Sequence, residues 1–225
     1  MAPRSYGQYC GVVAALELVG ERWALLIVRD LLVGPRRYTD LQRGLPRIPT
    51  NILSTRLKDL QAGGVIHRVP LAHGLVYELT PFGRELEDVV LALGRWGFKA
   101  MGEPDPADVV TADSMTIAFR TAFRPEAAAD QQPTTYEVHI GNNVLALEVA
   151  DGVLQVTPAP HPGAGVTFAT GPGIRSVIAG QLSPAEAVGR GIVHVIDGDP
   201  ALLDRFAQTF HLAADQARSP VDTLA

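Results

Sequence analysis

The hydrophobic pattern of this 225-residue chain changes between its two halves. Up to about residue 102 the apolar residues recur at helical spacing, whereas several segments after residue 114 alternate apolar and polar residues. Such a change predicts two units of different secondary structure. The segment "GEPDPADVVTADS" (102–114), with two prolines and four acids, separates them. We therefore predict an α+β protein with an N-terminal domain over 1–104, a linker over 105–114 and a C-terminal domain over 115–225.

The N-terminal half contains four helical segments, two short strands and one long helix, in that order. The helices span 10–19, 21–33, 38–45 and 50–62, the strands are "VIHRV" and "LVYEL", and the long helix spans 82–102. Gly34-Pro35 ends the second helix, and Thr80-Pro81 gives the long helix an N-cap and a first residue. This order is the layout of a winged helix-turn-helix, in which the fourth helix enters a major groove of DNA.

The fourth helix has an apolar face and a polar face. A helical wheel separates its leucines from its amide, hydroxyl and ammonium side chains: Leu53, Leu57 and Leu60 against Asn51, Thr55 and Lys58, with Ser54 beside them. Such polar groups hydrogen-bond base edges or phosphates. A polar outward face is equally typical of an ordinary amphipathic helix, so this helix by itself leaves both interpretations open.

Charge is unevenly distributed along the chain. The net charge of −5 divides into +3 for residues 1–104 and −8 for residues 105–225, and residues 22–68 hold nine basic against three acidic side chains. This asymmetry predicts an electropositive surface confined to the N-terminal domain. The side chains predicted to contact DNA belong to the fourth helix and to the basic segments around it: Arg36, Arg37, Arg43, Arg47, Thr50, Asn51, Ser54, Thr55, Lys58 and Arg68.

Several features between residues 10 and 83 together resemble the HxlR-type transcriptional regulators. They are Cys10, Gly20 followed by Trp23, Arg37-Tyr38, Leu45-Pro46, the helix "LSTRLKDL" and the motif "YELTPFG". The resemblance implies a homodimer that binds a palindromic operator in double-stranded DNA. The chain departs from the family in Gly11, where proline often follows the cysteine, and in a hairpin tip, "PLAHG", without Lys or Arg. Arg68 at the base of the hairpin is therefore the phosphate contact expected from the wing.

The long helix presents an apolar stripe that fits either a core or a contact between subunits. Its members are Leu86, Val89, Val90, Leu93 and Trp96. So long a helix usually projects from a winged-helix domain of this size, and the family resemblance also supports a dimer. We predict that the stripe is the dimer interface, because paired recognition helices bind a palindrome.

The second half resembles the sterol-carrier-protein-like fold over residues 166–206, through a strand, a helix, "GQLSPAEA", a strand, "GDP" and a helix. Before it, "MTIAFRTAF", "TYEVHI" and "LALEV" are predicted strands. The resemblance implies an antiparallel sheet covered by helices, with an apolar tunnel for a small hydrophobic or aromatic metabolite. The residues expected to line the tunnel are Phe119, Phe123, Leu145, Leu147, Phe168, Ile174, Ile178 and Phe206. The alternative is that they fill an ordinary core; the facing of His194 on its strand stays open.

The sequence contains no motif for metal binding or for catalysis. The six histidines are scattered, and neither G-x-S-x-G nor a P-loop occurs, so we expect no metal, no cofactor and no enzymatic activity. Cys10 has no basic neighbour in the sequence, and we interpret it as a small buried residue on an apolar helix, with a redox switch as the alternative. The apolar run "WALLIVRDLLV" is too short to span a bilayer, and the N-terminus lacks a signal core, which favours a cytoplasmic protein without membrane contact.

Together these features predict a dimeric DNA-binding transcriptional regulator that responds to a small hydrophobic ligand. The alternative hypothesis is a carrier of hydrophobic metabolites whose winged helix serves as a protein-interaction module. Binding to promoter DNA distinguishes the two.

Overall fold

The structure is a computed structural model that describes residues 5–71, 74–102, 104–105 and 107–213. The chain divides into two compact units, residues 1–90 and 91–225. The division lies inside a helix and not at the predicted linker, because Phe98 near the end of that helix belongs to the hydrophobic core of the second unit.

The N-terminal unit has the element order of a winged helix-turn-helix. Its elements are α1 (Gly11–Val19), α2 (Ala24–Val33), α3 (Tyr38–Gly44), α4 (Thr50–Ala62), β1 (Ile66–Leu71), β2 (Gly74–Leu79), α5 (Pro81–Arg84) and the first part of α6 (Leu86–Phe98). Strands β1 and β2 form an antiparallel hairpin. Arg36 adds a short third strand, because its backbone amide and carbonyl both bond to Tyr77, at 3.0 and 2.8 Å. The winged-helix layout predicted from the sequence is thus confirmed.

The helix predicted over 82–102 is shorter and interrupted. Thr80 is its N-cap as predicted, since its hydroxyl accepts a hydrogen bond from the amide of Gly83 at 3.0 Å. A turn at Glu85 then separates α5 from α6, which ends at Phe98.

Helix α4 is held against the unit by its leucines. Leu53, Leu57 and Leu60 are all buried, as the helical wheel predicts. Each fully buried leucine contributes about 1.5–3 kcal/mol relative to exposure. Burial of this one face fixes which side of α4 points to solvent.

The C-terminal unit, which begins within α6, places a five-stranded sheet beside short helices. Its elements after α6 are α7 (Ala112–Ala122), α8 (Pro125–Ala128), β3 (Thr134–Ile140), β4 (Asn143–Ala150), β5 (Val153–Thr157), β6 (Val166–Thr170), α9 (Ile174–Ile178), α10 (Pro184–Gly189), β7 (Val193–Gly198) and α11 (Leu202–Thr209). The strand order is β5-β4-β3-β6-β7.

This sheet is mixed, which corrects the prediction of an antiparallel one. Strand β6 pairs with β3 in parallel, while the other neighbours are antiparallel. After β5 the chain crosses back through residues 158–165 to the free side of β3 and enters β6 in the direction of β3.

The prediction of a strand for "MTIAFRTAF" is wrong, because this segment forms most of α7. Thr111 and Ser114 form a capping box at the start of the helix, each side chain accepting a hydrogen bond from the other residue's amide. The apolar spacing of Ile117 and Phe119 fits a strand and a helix alike, so this N-terminal cap is the feature that identifies the helix.

The interior of the C-terminal unit is filled by aromatic rings. The ring centroids of Phe119, Tyr136 and Phe168 lie 6.1, 5.5 and 5.3 Å from that of Phe206, all in edge-to-face geometry. Phe210 lies 4.8 Å from Phe206. All five residues are fully buried, so α7, α11 and the sheet share one core. Within the described residues no helix is long and apolar enough to cross a membrane.

Candidate nucleic-acid interface

The outward face of α4 carries exposed polar side chains. Thr50, Asn51, Thr55 and Lys58 are all exposed. The hydroxyl of Thr55 donates to the carbonyl of Asn51 at 2.9 Å, which fixes its direction and leaves its lone pairs as acceptors. An exposed amide, a hydroxyl and an ammonium group are the types that bind base edges in a major groove.

Tyr38 fixes the start of α4 on α3. Its hydroxyl donates to the carbonyl of Thr50 at 2.9 Å and lies 3.2 Å from the hydroxyl of Ser54. Ser54 is half-buried as a result, so this predicted DNA-binding residue faces α3 more than solvent. The sequence analysis noted Tyr38 in a motif but gave it no role.

The predicted arginines before α4 differ in their surroundings. Arg36 is half-buried, and its guanidinium donates to the carbonyl of Pro35 at 2.9 Å. Arg37 and Arg43 are exposed at the two ends of α3, and Arg43 lies 3.6 Å from Asp40. Arg47 is exposed in the turn before α4. The exposed guanidinium groups thus stand at the ends of α3 and in the turn that leads into α4, the type of side chain that contacts phosphates.

The hairpin offers one cation at its base. Arg68 is exposed on β1, and its guanidinium lies 5.7 Å from the ring centroid of Tyr77. The predicted tip includes residues 72–73, which lie outside the described residues.

The predicted dimer stripe on α6 is largely exposed. Val89, Leu93 and Trp96 are 51%, 46% and 70% exposed, and Leu86 is half-buried. Val90 of the same stripe is buried, so it offers little surface to a partner subunit. Helix α1 carries a second exposed apolar pair that the sequence analysis missed, Val12 and Leu16, at a spacing of one turn.

Cys10 is exposed, which corrects the expectation of a buried thiol. It is the residue immediately before α1, where the first amides of the helix have no partner within the helix. The nearby backbone amides of Val13 and Val12 lower the pKa of the Cys10 thiol below its ordinary value. The missed signal is the position at a helix N-terminus, which stabilises a thiolate without any basic neighbour.

The residues predicted to bind a ligand are core residues. Phe119, Leu145, Leu147, Phe168, Ile174, Ile178 and Phe206 are buried in the aromatic and aliphatic interior of the C-terminal unit, and Phe123 packs against it. Their contacts with one another match the alternative of an ordinary core. His194 is exposed on β7.

A polar cluster lies on the other face of the sheet. Glu137 is buried, and its carboxylate accepts a hydrogen bond from the ring of His139 at 2.7 Å and another from the amide of His161 at 2.7 Å. Desolvation raises the pKa of Glu137, but these hydrogen bonds outweigh it and hold the pKa below its ordinary value. Within the described residues no three His, Cys, Asp or Glu side chains are placed to hold a metal ion.

The family model that matches this chain covers most of its N-terminal half. The HxlR-like helix-turn-helix family model matches residues 18–105. An uncharacterised HTH-type transcriptional regulator of Mycobacterium tuberculosis is 43% identical over 152 residues, which is 66% of this chain and 84% of the relative. The uncharacterised HTH-type transcriptional regulator YdeP of Bacillus subtilis is 33% identical over 93 residues, 40% of this chain and 73% of the relative.

Two solved structures resemble part of the chain. The putative HTH-type transcriptional regulator YtcD is 35% identical and matches 40% of this chain and 94% of that one, with a TM-score of 0.38. The redox regulator HypR in its oxidised form is 30% identical and matches 42% of this chain and 100% of that one, also with a TM-score of 0.38.

Proposed function

The chain belongs to the HxlR-like helix-turn-helix family of transcriptional regulators, and from this membership we propose that it binds a palindromic operator as a dimer, with α4 in the major groove. The observation that carries the proposal is the orientation of α4. Its leucines are buried, and Asn51, Thr55 and Lys58 are exposed on the opposite face. The part of the helix that the fold leaves uncovered is therefore the part able to bind base edges.

Charge supports the same placement. Arg37, Arg43 and Arg47 are exposed around α4 and would neutralise phosphates on either side of the groove. Residues 105–225, which make up most of the C-terminal unit, carry a net charge of −8, so this unit would be repelled by a phosphate backbone. DNA binding is thus assigned to the N-terminal unit alone.

For the C-terminal unit we propose support of the dimer in preference to a tunnel for a hydrophobic ligand. The predicted tunnel residues belong to one hydrophobic core or pack against it. Phe98, at the end of α6, is buried in that core, while Leu93 and Trp96 of the same helix are exposed. The unit therefore anchors the end of the helix that presents the proposed dimer stripe.

The experiment that tests DNA binding compares the only two lysines of the chain. Lys58→Glu reverses a charge on the outward face of α4, and Lys99→Glu makes the same reversal beyond the end of α6. We expect Lys58→Glu to bind a fragment of the gene's own promoter at least about fivefold more weakly at about 0.1 M salt, since a lost base contact costs about 1–3 kcal/mol. Lys99→Glu should bind like the wild type. Fluorescence anisotropy measures both. Equal affinities of the two variants for the promoter fragment would contradict the placement of α4 in the major groove.

Thiol-dependent regulation through Cys10 is a second candidate function. The observation that favours it is that the Cys10 side chain is exposed at the start of α1 and its pKa is lowered. The thiolate is the form that oxidants and electrophiles attack, so such a cysteine reacts faster than an ordinary one.

A further inference from the structure

An open cleft of about 310 Å³ lies along the flank of α4, on neither its buried nor its outward face. Its lining comes from three separate segments: Arg22, Trp23, Arg47, Pro49, Ile52 and Arg56. The first two residues precede α2, the next two precede α4, and the last two lie one turn apart on α4 itself. The lining residues thus include three arginines and one tryptophan, and none of them is acidic.

The guanidinium groups of the cleft are held in different ways. Arg56 is only 16% exposed and is fixed by ion pairs with Glu21, at 3.0 Å, and with Asp59. Its Nε is buried and makes no hydrogen bond within the described residues. Arg22 is exposed and lies with its guanidinium 5.3 Å from the ring centroid of Trp23. Arg22 therefore exposes positive charge beside the Trp23 ring.

Trp23 has an unusual backbone conformation. Its φ of 80° and ψ of −19° are left-handed, a region that costs a non-glycine residue about 1–2 kcal/mol. Such conformations persist where the surroundings impose them, and they are enriched at ligand sites. Here the conformation belongs to a residue that lines the cleft.

We propose that this cleft binds a small aromatic carboxylate and is an effector site. The carboxylate would bind the guanidinium group of Arg22 through bidentate, charge-assisted hydrogen bonds. The ring would pack on Trp23, Pro49 and Ile52, which supply the apolar surface. A volume of about 310 Å³ is at the lower end of the range for small-ligand sites, which fits a single-ring compound. A DNA phosphate shares the oxyanion chemistry but does not use the apolar walls.

The cleft is placed to act on DNA binding, and in this respect the inference rests on the proposed function. Ile52 and Arg56 belong to the helix that presents Asn51 and Thr55 to the groove. A ligand held between α4 and Trp23 changes operator affinity if it prefers one position of α4 over another. By linkage, operator DNA then changes the affinity for the ligand by the same factor.

The test uses the full-length protein, with benzoate as probe and benzyl alcohol as its uncharged counterpart. Without DNA, isothermal titration calorimetry should show saturable binding of benzoate and none of benzyl alcohol. Arg22→Ala should weaken benzoate binding at least tenfold. Arg84→Ala, which removes an exposed arginine outside the cleft, should not. Arg22→Lys keeps the charge without the bidentate geometry and should give an intermediate affinity. Quenching of tryptophan fluorescence by benzoate should disappear in Trp23→Phe.

The outcomes distinguish the two oxyanions that the cleft could bind, an aromatic carboxylate and a DNA phosphate. If benzoate does not bind the wild type, and Arg22→Ala weakens DNA binding, the arginines contact backbone phosphate and the effector site is refuted. Benzoate binding that Arg22→Ala leaves unchanged also refutes the site. Benzoate binding by a protein that binds no promoter DNA would support the site while contradicting the proposed function. At saturating benzoate the wild type, but not Arg22→Ala, should change its operator affinity at least threefold; an unchanged affinity overturns the effector role.

Discussion

The thiol of Cys10 is the residue whose chemistry depends most directly on a local backbone feature. It precedes the first turn of α1, and the amides of Val13 and Val12 stabilise its thiolate. Among the described residues, no side-chain cation takes part in this stabilisation. Its reactivity therefore depends on the integrity of a single helix turn.

We predict that the thiol of Cys10 in the folded protein is alkylated at a lower pH than the thiol of an ordinary cysteine. Because the pKa of the thiol is lowered, the thiolate persists to lower pH. The rate of alkylation by iodoacetamide should therefore reach half its maximum at a lower pH in the folded protein than in the urea-unfolded chain. The unfolded chain is a matched control, because Cys10 is its only cysteine. Mass spectrometry measures the rate. A midpoint equal to or above the unfolded value would contradict the assignment. Loss of DNA binding on peroxide treatment, restored by a thiol and absent in Cys10→Ser, would connect this acidity to regulation.

At the scale of elements, the junction between the hairpin and α5 is fixed by close backbone approach. A methyl group on Gly83 would lie 2.0 Å from the carbonyl oxygen of Val65, far inside contact distance. The hydroxyl of Thr80 donates to the carbonyl of Gly64 at 2.6 Å and accepts from the amide of Gly83. The motif "YELTPFG" therefore fastens α5 to the start of β1.

We predict that Gly83→Ala destabilises the N-terminal unit by about 1–3 kcal/mol, the range for an overpacked site. Gly97→Ala is the matched control, because Gly97 lies in α6 and a methyl group there meets nothing within 4 Å. That substitution should be neutral or stabilising by up to about 1 kcal/mol, since alanine favours helix. Urea unfolding followed by circular dichroism compares the transition midpoints. A Gly83→Ala midpoint equal to that of the wild type would show that the junction relaxes freely.

The elements also show how far the sequence predicts this structure. Helix α4 and its buried face follow from the spacing of its leucines, because one periodic stripe fits only one orientation against a core. The spacing of Ile117 and Phe119 fits two periods, and only the cap at Thr111 selects the helix α7. Strand β5 was missed because its side chains are only partly buried and its pattern is weak.

Of the two proposed sites, only the DNA-binding face of α4 could be predicted from the sequence. The polar face of α4 lies on one helix, so local spacing shows it. The arginine cleft unites residues from before α2, from the turn before α4 and from α4 itself, and no local pattern joins Arg22 to Arg47 and Arg56. The left-handed backbone of Trp23 likewise has no signal in the sequence, since tryptophan does not favour that conformation.

At the scale of the whole molecule, the uneven distribution of charge affects how a dimer would bind DNA. Residues 22–68 carry a net +6, and residues 105–225 carry −8. Affinity for DNA should fall steeply with salt, because the basic segment releases counterions from the phosphates it neutralises. Two copies of that segment on one operator would double the number of phosphate contacts, so assembly and salt dependence are linked.

We predict that Leu93→Glu disrupts the dimer. Leu93 lies between Val89 and Trp96 on the exposed stripe of α6, and burying a carboxylate against the partner's apolar stripe would cost several kcal/mol. Leu75→Glu is the matched control, since Leu75 on β2 is 44% exposed and Leu93 is 46% exposed. Light scattering at micromolar concentration should show monomer for Leu93→Glu and dimer for Leu75→Glu. If Leu93→Glu is monomeric, its slope of log affinity against log salt should be about half that of the wild type, because one copy contacts half the phosphates. A stable Leu93→Glu dimer with the wild-type slope would move the interface away from α6 to another exposed apolar surface, such as that of α1.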